Sequence, residues 1–90
     1  MTIDVPANCR VVGPRQIGFE IIVDGKRQYG VITVEAVQRL FDSTNLDNDD
    51  KLLRAVAACP YIAQEAAHRV RLGLGGWEER PVFLSTVNFA

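Results

Sequence analysis

Ninety residues, 48% hydrophobic and 23% charged, suffice for one globular domain with a modest core, but not for a core plus a deep enclosed site. Ten Lys and Arg against eleven Asp and Glu leave a formal net charge of −1, which argues against nucleic acid as the main partner. No run approaches the about 20 apolar residues of a membrane span, residues 1–8 carry Asp4 and Pro6 instead of a signal peptide's apolar run, and the widely spaced Cys9 and Cys59 suit a reducing cytoplasm with both thiols free.

Residues 1–7 show little pattern and read as a loose N-terminal arm. Cys9 to Val12 is a short edge strand, with Cys9 and Val11 on one side and Arg10 and Val12 on the other; Ile3 to Val5 is an alternative. Gly13-Pro14 stops it. In the next stretch Ile17, Phe19, Ile21 and Val23 alternate with Gly18, Glu20 and Ile22, the period of a strand with one face on a core. Asp24-Gly25 tolerates positive φ twice, which suits a two-residue type I′ turn into a return strand from Lys26 to Thr33. That turn sets Val23 opposite Lys26, Ile17 opposite Ile32 and Phe19 opposite Gly30, whereas a three-residue turn with a bulge would shift this register. Phe19 then covers the bare backbone at Gly30. On the other face Glu20 meets Tyr29, Gly18 meets Val31, and Ile22 meets Arg27.

Thr33 is placed to cap a first helix, with Glu35 in its first turn and Val34, Val37, Leu40 and Phe41 as its apolar stripe. A polar loop with several caps in series leads to a second helix near Asp49 to Ala58, which faces the core through Leu52, Leu53, Val56 and Ala57. Pro60 fits the first position of a third helix ending near Leu72, with Ile62, Ala63, Ala66 and Val70 inward. Glycines from Gly73 to Gly76 end it. Pro81 to Phe89 reads as the last strand, whose Phe83, Val87 and Phe89 share a side that needs a core. The order predicts an α+β fold: a small antiparallel sheet of three to four strands around a central β-hairpin, with about three helices on one face.

The hairpin-to-helix stretch FEIIVDGKRQYGVITVEAVQRLF, the helix PYIAQEAAHRV and the closing VFLSTVNF resemble a family of short bacterial proteins known only as a domain of unknown function. VITVEAV is similar to that family's step from strand pair into helix. The resemblance implies a shared fold and a bacterial origin, with no activity attached.

No catalytic or metal-binding motif stands out. His68, the single histidine, falls off the apolar stripe of its helix and has no sequence-placed partner for acid–base work. Cys59 precedes a helix, where a thiol pKa can fall, but a small buried residue is the simpler reading, as for Cys9. Asp42, Asp47, Asp49 and Asp50 lack the glycine and glutamate spacing of a calcium loop and suit a solvated helix start. Gly73 to Gly76 follow a helix, whereas phosphate-cradling glycines precede one.

Two surfaces remain. If helices cover one sheet face, the other exposes Ile22, Tyr29 and Val31, with Glu20 and Arg27 at the rim, unless the N-terminal arm or Trp77 covers it. This favours a non-enzymatic cytoplasmic domain that binds another protein or itself, as a homodimer, without cofactor, metal or membrane. The alternative is a weak nucleic-acid contact along a basic edge of Arg10, Arg15, Lys26 and Arg27, and third comes a small-molecule binder or enzyme.

Overall fold

The computed structural model describes residues 5–42, 46 and 48–89. Its elements are β1 (Ala7–Gly13), β2 (Gln16–Val23), β3 (Lys26–Thr33), α1 (Val34–Leu40), α2 (Asp49–Ala57), α3 (Pro60–Arg71), β4 (Val82–Leu84) and a 3-10 turn (Thr86–Phe89). The four strands form one sheet in the order β1-β2-β3-β4. The fold is α+β, as the sequence predicts.

The hairpin follows from its turn. Asp24 and Gly25 have φ of 51° and 82°, as a type I′ turn demands. The register then runs unbroken from Val23↔Lys26 to Gln16↔Thr33, and every pair expected from the sequence is present. Thr33 caps α1 by accepting from the Ala36 amide at 3.1 Å. Asn48 caps α2, its side-chain oxygen accepting from the Lys51 amide at 2.9 Å. α3 opens on Pro60 and closes on Gly73 at φ 76°. There the Gly73 amide donates to Val70 and the Leu74 amide to Arg69, which is a Schellman cap.

Several boundaries differ from the sequence reading. Pro6 is fully buried and Ala7 opens β1, so the chain is tied down earlier than a loose arm through residue 7 would be. Residues 1–4, and with them the alternative strand from Ile3, lie outside the described residues, as does Asp47. α1 stops at Leu40, which leaves Phe41 as an exposed C-cap.

The sheet is mixed, because β4 joins β3 in parallel. The end of α3 explains the direction. Arg71 pairs with Asp24 of the hairpin turn at 3.5 Å, and the Tyr29 amide donates to the Gly76 carbonyl at 2.6 Å. The helices thus deliver the chain to the end of the sheet where β3 begins, and a strand leaving from there runs alongside β3. β4 is also shorter than the expected Pro81 to Phe89. Asn88 accepts from the Ser85 amide through its side chain at 2.7 Å and donates its own amide to the Ser85 carbonyl at 3.0 Å, which turns the chain out of the sheet.

The core lies between one sheet face and the helices. Ile17, Phe19, Ile21, Val23, Ile32, Val82 and Leu84 point into it from the strands. They meet Val34, Ala36 and Val37 of α1, Leu52 and Val56 of α2, and Ile62, Ala63, Ala66 and Ala67 of α3. Pairing of Gly30 with Val82 and of Ile32 with Leu84 turns those two β4 residues inward. Phe83 therefore points away from the core, contrary to the sequence reading. Phe89 is only partly buried, its ring edge-on to Tyr61 at 5.7 Å.

Candidate functional site: the uncovered sheet face

All three helices pack on the core face, so no layer built from the described residues lies over the opposite face of the sheet. Strand alternation and the register fix what it presents. One row crosses the four strands as Arg10, Gly18, Val31 and Phe83, and Val12 reaches Gly18 from the irregular end of β1. Val31 lies opposite Gly18, and Phe83 opposite Val31. Val12 leans over Gly18, where an added β-carbon would stand 2.6 Å from its Cγ1. Val12 is 44% exposed and Phe83 51%. The next row pairs Glu20 with Tyr29, and the third pairs Ile22 with Arg27. Ile22 is 48% exposed.

Glu20 is the polar centre of this face instead of its rim. Its side chain keeps only 14% of its surface. Asn8 donates to Oε1 at 3.0 Å, Arg27 reaches the same oxygen at 3.4 Å, and Arg10 approaches Oε2 at 3.7 Å. One carboxylate thus holds two guanidinium groups from the strands on either side. Beside it a recess of about 140 Å³ is lined by Val5, Ala7, Asn8, Ile22 and Arg27, among others. That volume suits a side chain and is well below the about 300 Å³ at which ligand pockets begin.

The basic residues do not form one edge. Arg15 sits in the β1–β2 turn and hydrogen-bonds Glu35 at the start of α1. Lys26 stands at the other end of the hairpin, opposite Val23. Arg10 and Arg27 share Glu20 between them. The Arg15 guanidinium holds the Glu35 carboxyl below its ordinary value, chiefly through that hydrogen bond.

Of the remaining candidates, His68 is exposed on α3. Cys59 is buried at the α3 N-cap and Cys9 is partly buried, both as free thiols. Burial pushes the Cys9 thiol up, against the opposing pull of Arg10, which keeps it protonated and weakly nucleophilic. Trp77 is itself half exposed, so it is not a buried lid over the face. Among the described residues no group of three or more His, Cys, Asp and Glu is placed to hold a metal ion, and no helix is long and apolar enough to cross a membrane.

Sequence reasoning places Ile22, Tyr29 and Val31 on this face but assigns Phe83 to the core. Val12 is readable from strand alternation, since it shares a side with Arg10. Phe83 is not, because its side depends on the β3–β4 register.

No family model, no curated protein and no solved structure matches this chain.

Proposed function

We propose that this chain is a small non-enzymatic domain that works by binding protein through the uncovered sheet face. The observation that supports the reading most is the apolar pair Val31 and Phe83 across β3 and β4, with Val12 beside Gly18 and with Ile22 and Tyr29 in the neighbouring rows. A sheet face of this kind is ordinarily covered by a second layer, and apolar surface left in water is the usual mark of a contact site. The polar centre fits the same use. Glu20 neutralises only one of its two guanidinium partners, so a partner covering Arg10 and Arg27 would meet the remaining positive charge with an acidic or carbonyl group of its own.

The nucleic-acid alternative has less support. Its four cations are dispersed, and three of them already face carboxylates on this chain. The two free thiols support a reducing, cytoplasmic setting. The resemblance to short bacterial proteins stays part of the proposal and rests on the motifs quoted above.

The test is a capture experiment with the tagged native chain and with Val31→Asp, each with and without nuclease. Val31 is half-buried and not part of the core, so the variant folds, as circular dichroism will show. The expected result is a protein partner, a second copy included, that survives nuclease and is lost from Val31→Asp. A partner kept by the variant, or released by nuclease, overturns the reading.

A further inference from the structure

We draw no further inference here: the strongest candidate, the uncovered sheet face around Val31 and Phe83 with the recess beside Glu20, belongs to the contact surface already described, and nothing in the structure shows what covers it.

Discussion

The ring of Phe19 lies across the bare backbone of Gly30, so close that a β-carbon added at Gly30 would stand 2.5 Å from the ring's Cζ. The two are directly paired across the hairpin, and Phe19 is fully buried. The largest core side chain of the sheet thus occupies the space that any residue other than glycine would claim. Gly30→Ala gains strand propensity worth up to about 1 kcal/mol. It also forces a buried ring to move, at a cost of about 1–3 kcal/mol. The clash wins, and urea denaturation will show Gly30→Ala net destabilised by about 1 kcal/mol or more. Adding Phe19→Leu will recover part of the loss, so the double variant is more stable than the sum of the singles implies.

The Arg15–Glu35 pair ties the β1–β2 turn to the start of α1, and the Val34 amide donates to the Arg15 carbonyl at 3.0 Å in the same place. Glu35 is held below its ordinary value of 4.5. A lowered carboxyl contributes stability that is present above the unfolded value and lost as pH falls through the folded one. Both side chains are well exposed, so screening limits the pair to about 0.3 kcal/mol. Glu35→Gln will therefore melt slightly below the native chain at neutral pH. The gap will close on acidification below the ordinary glutamate range and shrink in high salt.

Arg69 carries a buried Nε with no hydrogen-bond partner among the described residues. Leaving such a donor unmet costs about 1–3 kcal/mol, and part of that is relieved when an apolar side chain of similar length replaces it. Arg69→Met is expected to raise stability by about 1 kcal/mol, or roughly 4–8 °C in melting temperature for a domain of this size. Scanning calorimetry reads the shift directly. A lower melting temperature would mean that the guanidinium head contributes more than the Nε costs.

Phe83 and Val31 are expected to matter for association and little for folding. Phe83→Ser removes a half-exposed ring outside the core, so its effect on stability measured on dilute monomer stays within about 0.5 kcal/mol. The same change at Leu84, one residue on and fully buried, would cost several times more. Parallel urea titrations and sedimentation runs on the two variants separate the roles. Loss of the fold in Phe83→Ser would place that ring in the core after all.

How far the sequence can be read follows from where each register is set. Asp24-Gly25 is a local device, and once its turn type is known every pair from Val23 to Gln16 is determined. Thr33 and Pro60 act within one helical turn, so the starts of α1 and α3 are legible too. β4 has no such device. Its direction depends on where α3 ends, and that depends on packing of Ala63, Ala66 and Ala67 against a sheet not yet assembled. A parallel pair also lacks a connecting turn to set which side faces in, so Phe83 and Val82 cannot be told apart. The basic residues mislead for a related reason. Arg10, Arg15, Lys26 and Arg27 look alike along the sequence, yet Glu20 and Glu35 divide them once the strands and α1 are in place.

The most direct test of the uncovered face as a contact surface is a concentration series of amide ¹H–¹⁵N spectra on the native chain. Progressive shifts are predicted, centred on Val12, Gly18, Glu20, Tyr29, Val31 and Phe83, with the exposed side of α3 around His68 unchanged. Shifts centred on the helices would contradict it, and spectra that stay the same up to the solubility limit would exclude a second copy as the partner.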